Sequence, residues 1–376
     1  MSGSFSESMR LHLCWWLASF WPGKHPGAPV RPGRLLFLLL GYPLFFVLQV
    51  LHWLGFALDA LFFGGYRKVG IESPVFILGI PRSGTTFLHR TLAADPSYTS
   101  FTTWEAALAP SITERKLIGL ISRLDRAFGA PGRRLLKFCL NRSKGNFDAI
   151  HEVDLSAPEE DYLSLLPAGA CFILLLAFPF STELAALARL DQLPEDRRRA
   201  ILRFYKSCLQ RHLYCHRGKR LLSKNAAFAS WCSALREAFP DAKFLVCIRE
   251  PERALSSQLS SLAPARRLFG TDPDGKQTAA RFTGIYAHTY QSLARFVTST
   301  EREQTAVICQ NKLRAGPAET IRAALHALSL AMPPGLEELQ PAPSSSHQHT
   351  LSEFSIDTEK IERCMRPAYE SMLEVD

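Results

Sequence analysis

The segment Pro74-Val75-Phe76-Ile77-Leu78-Gly79-Ile80-Pro81-Arg82-Ser83-Gly84-Thr85-Thr86-Phe87-Leu88-His89-Arg90-Thr91-Leu92 decides the fold. It reads as an apolar strand, a tight loop and a segment with helical spacing. A strand, a loop and a helix N-terminus in that order make a phosphate cradle. The loop N–H groups and the positive end of the helix dipole converge on one spot. The loop nearly fits the pattern Gly, four residues, Gly, Lys, Ser/Thr. Thr85 stands where an ATP-using enzyme needs the lysine that reaches the β- and γ-phosphates. A cation occurs earlier instead, at Arg82. The loop is therefore expected to hold a phosphate-like group without being built around a triphosphate and its metal.

Pro81-Arg82-Ser83-Gly84-Thr85-Thr86 resembles the 5′-phosphosulfate loop of the sulfotransferases, of the bacterial and tyrosylprotein-like branch, where arginine at this station is common. The resemblance implies transfer of a sulfuryl group from 3′-phosphoadenosine-5′-phosphosulfate (PAPS) to a hydroxyl. It also implies that Arg82, Ser83, Gly84, Thr85 and Thr86 touch the donor.

A second motif supports it. Ala242 to Ile248 reads as a buried strand, and Arg249-Glu250-Pro251 follows, with Ser257 eight residues after Arg249. Pro251 suits the first turn of a helix. In the family, an Arg and a Ser at this spacing hold the 3′-phosphate, and the planar fork of arginine fits a phosphate dianion. Between the motifs, Arg220-Leu221-Leu222-Ser223-Lys224-Asn225 reads as a short strand ending in a cation. The resemblance gives Lys224 a contact with the transferring group. The cytosolic branch has a catalytic His two residues later, and this chain has Ala226 there. The resemblance then makes Glu105 the candidate base. Read from the residues alone, Glu105 is a favourable first-turn glutamate of a helix. His151-Glu152-Val153-Asp154 and Pro158-Glu159-Glu160-Asp161 form a second acidic group. It either positions the acceptor or caps a helix, with capping favoured for Glu159 and Glu160. An Arg-x-x-Gly-x-x-Gly-like segment is missing. No Cys/His ligand cluster calls for a metal, and sulfuryl transfer needs none.

Composition sets the frame. The chain has 376 residues, with 47% hydrophobic and 21% charged, so it is folded or membrane-associated and not disordered. A net charge of +9 suits an anionic cofactor or an anionic membrane surface. No base-reading or stacking motif points to nucleic acid. Nine cysteines without regular spacing suggest free thiols in a reducing compartment.

Leu35 to Leu54 carries no charge and is long enough to cross a bilayer, with Pro43 expected to interrupt it. Beyond Pro43, Gln49, His52 and Asp59 fall near one helical face. A spanning helix, an interfacial anchor and a buried core helix all fit. Arg10, Lys24, Arg31 and Arg34 before the run would put the N-terminus of a spanning form in the cytoplasm. The cysteines favour an active site on the cytoplasmic face over the alternative of a single-span Golgi membrane protein, to which the sequon Asn141-Arg142-Ser143 would point. An interfacial anchor biases the acceptor towards lipids or other amphipathic alcohols.

The expected organisation is a hydrophobic helical region over residues 1–70 and an α/β catalytic domain over 71–376. The latter is a P-loop-like parallel sheet flanked by helices, with strands near 74–80, 220–224, 242–248 and 305–310. A mostly helical insert from Ala106 to Lys219, with Phe282 to Phe296, is the expected acceptor pocket. The apolar run Cys171 to Phe178 fits helix or strand. The competing functions are a P-loop kinase of a small molecule or nucleoside, and a membrane-associated scaffold with a vestigial nucleotide site.

Overall fold

Strand β1 spans Val75–Gly79, β2 Tyr98–Thr99, β3 Arg220–Lys224, β4 Lys243–Ile248 and β5 Thr305–Cys309 in the computed structural model. The structure describes residues 4–21, 27–132, 134, 155–341, 354, 356 and 358–375. All pairings are parallel, in the order β2-β3-β1-β4-β5. β1, β4 and β5 are almost wholly buried, as parallel strands covered by helices on both faces must be. Alternate residues serve opposite faces. Phe76, Leu78, Phe244 and Val246 join one core; Val75, Ile77, Leu245 and Cys247 join the other. The four long strands lie where the sequence placed them. β2 was not foreseen, because two residues carry no periodicity. The run Cys171 to Phe178 contains neither α-helix nor strand but a 3-10 turn, Phe172–Leu176.

From β1 the chain moves to β3 and β2 on one side; from β4 it moves to β5 on the other. The crevice between the C-terminal ends of β1 and β4 is thus the topological switch point, where open α/β sheets bind ligands.

At the N-terminus, helix Phe5–Ala18 packs beside a helix that runs unbroken over Pro32–Phe62. Pro43 does not interrupt it. The ring lacks an N–H and crowds the preceding turn. A π-turn at Phe37–Gly41 takes up the mismatch, with Tyr42 N–H donating to Phe37 O. Gln49, His52 and Asp59 are all buried on the domain side. Asp59 accepts from the N–H groups of Ile112 and Thr113 and pairs with Arg211 at 2.9 Å. The long helix is therefore docked along the domain. Leu11, Trp15, Leu38 and Tyr42 belong to the same core as the sheet.

Candidate active site

The loop after β1 is shaped by residues that cannot be exchanged freely. Gly79 has φ +145°, and a Cβ there would lie 2.1 Å from the Cys247 carbonyl oxygen. Gly84 (φ +97°) caps the helix Thr85–Leu92. Arg82 also sits in the left-handed region, at φ +70°. A non-glycine residue there costs about 1–2 kcal/mol, so neighbours must hold it. They do so at its carbonyl, which accepts from Arg249 Nη1 at 2.9 Å and from Gln310 Nε2 at 2.8 Å. The Arg82 side chain turns towards the second motif, where its Nε donates to Ser257 Oγ at 3.2 Å.

Arg82, Arg249 and Ser257, far apart in sequence, are thus one cluster. Pro251 starts the helix Pro251–Phe269 that carries Ser257. Tyr290 donates to the Arg249 carbonyl at 2.5 Å, which fixes the end of β4. Burial, and then the positive charge of Arg82, lower the pKa of the Arg249 guanidinium from its ordinary value. Arg249 Nε and Ser83 Oγ are buried and have no hydrogen-bond partner among the described residues. Buried donors are rarely left so. Two like charges beside two orphaned donors fit an anion. Gln310, Tyr286 and Tyr290 were not singled out by sequence; Gln310 directly follows β5, the position that could have flagged it. A groove adjoins the cradle on the helix side, lined by Thr86, Phe87, Arg90, Gly335 and Leu339. Phe87 keeps 41% of its surface exposed there, a free apolar face.

Lys224 ends β3, in register with Ile77 of β1. Its chain is buried, and Nζ lies 2.7 Å from Glu160 Oε1 and 3.8 Å from Glu159 Oε1. The acidic segment is held in place by its backbone. Glu159 N–H donates to Phe101 O, and Thr102 bridges Pro158. Behind it, Asp161 is fully buried. Burial pushes its carboxyl up to about 6, against hydrogen bonds from Tyr205, Ser223 and Asn225. Glu160, expected as a helix cap, stands at the N-cap of the 3-10 turn Asp161–Leu165 but makes no side-chain cap bond, and with Glu159 it faces Lys224 at the C-terminal end of β3. His89 lies close by. Burial, and then the charge of Lys224, lower it to about 3, so it is neutral at pH 7.

Glu105 stands differently. It closes a capping box with Thr102. Its other oxygen accepts from His216 Nε2 at 2.8 Å and pairs with Arg115 at 3.3 Å. Burial alone would raise its pKa. His216, Arg115, His212 and the Thr102 N–H together override that and hold it well below the usual carboxylate range. A carboxylate held this way is a weak proton acceptor, which weighs against the expected role as base. Glu105, His212 and His216 could group around a metal ion. The Arg115 guanidinium already lies within 3.3 Å of both Glu105 and His212, so the cluster carries its own cation. The sequon Asn141-Arg142-Ser143 and the group His151 to Asp154 lie outside the described residues.

Comparison with known proteins bears on the fold and the family. The sulfotransferase family profile matches residues 74–334. Among solved structures, the sulfotransferase STF1 of Mycobacterium tuberculosis superposes with a TM-score of 0.70 at 17% identity, over 99% of this chain and 93% of that one. The sulfotransferase STF9 of Mycobacterium avium gives 0.63 at 17% identity, over 86% and 81%. No curated protein matches the chain. At such identity the two structures speak for the fold; the profile, which takes in the cradle, β3, β4 and β5, speaks for the lineage, and the chain belongs to the sulfotransferase family.

Proposed function

We propose that the protein transfers a sulfuryl group from PAPS to a hydroxyl of a lipid or other amphipathic alcohol. The observation that carries this reading is the convergence of Arg82, Arg249 and Ser257 around the orphaned Arg249 Nε and Ser83 Oγ. The loop N–H groups, Ser83, Gly84, Thr85 and Thr86 hold the 5′-phosphosulfate end. Arg249 and Ser257 hold the 3′-phosphate. The groove at Phe87 offers the purine a face to stack on.

PAPS supplies the activated sulfur–oxygen bond. Arg82 and Lys224 place positive charge where the leaving oxygen becomes negative. Glu160, in ion-pair contact with Lys224, takes the acceptor's proton as the new sulfur–oxygen bond forms. Asp161, anchored by Tyr205 and Asn225, fixes the backbone that presents Glu160. Glu105 is given a structural role in this scheme. The kinase reading is disfavoured by Thr85 in place of the lysine, and the scaffold reading by the intact set Arg82, Lys224, Arg249 and Ser257.

Thermal-shift titration tests the reading with adenosine 3′,5′-bisphosphate against ATP–Mg, in wild type and Arg249→Ala. Stabilisation by the bisphosphate that is lost in the variant is expected. Preference for ATP–Mg would end the proposal, and no response to either would favour a scaffold.

A further inference from the structure

Exposed large apolar side chains are not scattered over this molecule. Nearly all lie on the helices Phe5–Ala18, Pro32–Phe62 and Ile112–Ala127 and their flanks. On the long helix, Leu36, Leu40, Leu44, Val47, Leu51 and Leu54 repeat at intervals of three and four and are half or more exposed. The buried residues Leu38, Tyr42, Gln49, His52, Phe56 and Asp59 lie on the opposite side. On Ile112–Ala127, every residue from Lys116 to Leu124 is exposed, among them Leu117, Leu120, Ile121 and Leu124. Monomeric soluble proteins rarely expose so many large apolar side chains on neighbouring helices.

The three helices touch one another. His12 Nδ1 bonds Tyr42 Oη at 2.9 Å, and Trp16 Nε1 donates to Leu38 O. At the other end, His52 meets Glu114 at 2.5 Å, and Lys116 Nζ lies over the Phe63 ring. The three helices are therefore one packed group, and each carries its own exposed apolar residues. Around them the exposed charges are basic: Arg10, Arg31, Arg67, Lys68, Lys116, Arg123 and Arg126.

We infer that these three helices form one monotopic membrane-docking surface for an anionic lipid bilayer. The long helix does not cross that bilayer. At about 1.5 Å per residue it could, but it is tied to the domain along its whole length. Arg34 donates to Ala177 O and Phe269 O, Trp53 to Pro167 O, and Asp59 is paired with Arg211. Spanning would carry these buried polar groups, and the domain bonded to them, into hydrocarbon. Lying flat, the helix seats its leucines at the acyl boundary while the basic rim meets anionic headgroups. The catalytic centre is close in the chain. Ser100 to Ser111 alone joins β2 to the helix Ile112–Ala127, and Phe101 and Thr102 in that stretch hold the Glu159–Glu160 segment. The inference goes beyond sulfuryl transfer and stands without it.

Co-sedimentation of the full-length protein with vesicles tests it, with no sulfuryl donor present. The vesicles are phosphatidylcholine alone or with about one-third phosphatidylglycerol, in low and in about 0.5 M salt. Binding to the anionic vesicles is expected, weakened by salt and released by alkaline carbonate. Leu44→Glu/Leu51→Glu and, separately, Leu120→Glu/Leu124→Glu each lower partitioning by about tenfold or more. Lys116→Glu/Arg123→Glu lowers it on anionic vesicles only. All six positions are exposed, and unchanged melting and bisphosphate binding establish that the variants are folded. Wild type left in the supernatant would overturn the inference. So would Leu120→Glu/Leu124→Glu binding as wild type, retention after carbonate, or a stable dimer in solution dispersed by the leucine substitutions, which would make a second copy the occupant.

Discussion

Arg82–Arg249 and Glu105–Arg115 are both charged clusters beside the sheet, and they are built on opposite principles. At the loop, the positive charge of Arg82 acts against that of Arg249, and buried donors at Arg249 and Ser83 lack partners among the described residues. At Glu105, a carboxylate is met by a backbone N–H, a hydroxyl, an imidazole and a guanidinium. The first is left unbalanced and costs the fold stability; the second is balanced and stabilises it. An unbalanced cluster at a switch point suits a ligand. A balanced one suits a joint, and here it ties the chain after β2 to the helices Ile112–Ala127 and Glu195–Cys215.

That contrast can be broken by experiment. The largest effect is expected at the proposed base: Glu160→Gln lowers kcat by about 10²–10⁴ while bisphosphate affinity stays within a few-fold. An unchanged kcat, or an equal loss in Glu105→Gln at full folding, would return the base to Glu105. Arg82→Ala follows, with a loss of about 10²–10³ in kcat. Its melting temperature should stay equal or rise, because Ala removes one of two like charges that act against each other. Arg249→Ala weakens bisphosphate binding by about 10–100-fold, from the loss of a charge-assisted contact. Glu105→Gln should reverse the pattern. It removes one partner of a buried pair and destabilises by about 3 kcal/mol, visible in urea unfolding, while the folded fraction still turns over.

The smallest effect is in pH. The Glu105 carboxyl is depressed in the fold, so its contribution is present above the unfolded value of about 4.3 and is lost as pH falls towards the folded one. Asp161 is raised to about 6, so ionising it in place weakens the fold as pH rises from about 4 through 6. Asp161→Asn should flatten stability between those values, and Glu105→Gln should flatten it below them. Unfolding free energies of both variants across pH 3–7 check the two signs.

The sequence carried the fold because the fold rests on local patterns. Apolar runs ending in Gly79, Lys224, Arg249 and Cys309 marked four strands, and their C-terminal ends are the crevice. The loop proposed to hold the phosphosulfate was legible for the same reason, since loop and helix start are contiguous. The acceptor side was less so. That Glu105 is engaged away from Lys224 depends on Arg115, His212 and His216, which are brought in from distant segments of the chain. No spacing within Phe101 to Glu105 encodes that. Pro43 misled because a π-turn can absorb a proline that periodicity reads as a break.

Arg34 illustrates an obligation in time. Its guanidinium is buried, and one of its carbonyl partners belongs to Phe269, 235 residues further along the chain. During synthesis the apolar helix is made early and its ties come late, to Pro167, Ala177, Arg211 and last to Phe269, so much of the polypeptide must emerge before the helix is fully fastened. Until then it is an unattached hydrophobic segment in search of a surface. Premature termination before residue 211 would remove both the Arg211 partner of Asp59 and the Phe269 partner of Arg34, and such fragments should aggregate or be degraded where the full-length chain survives.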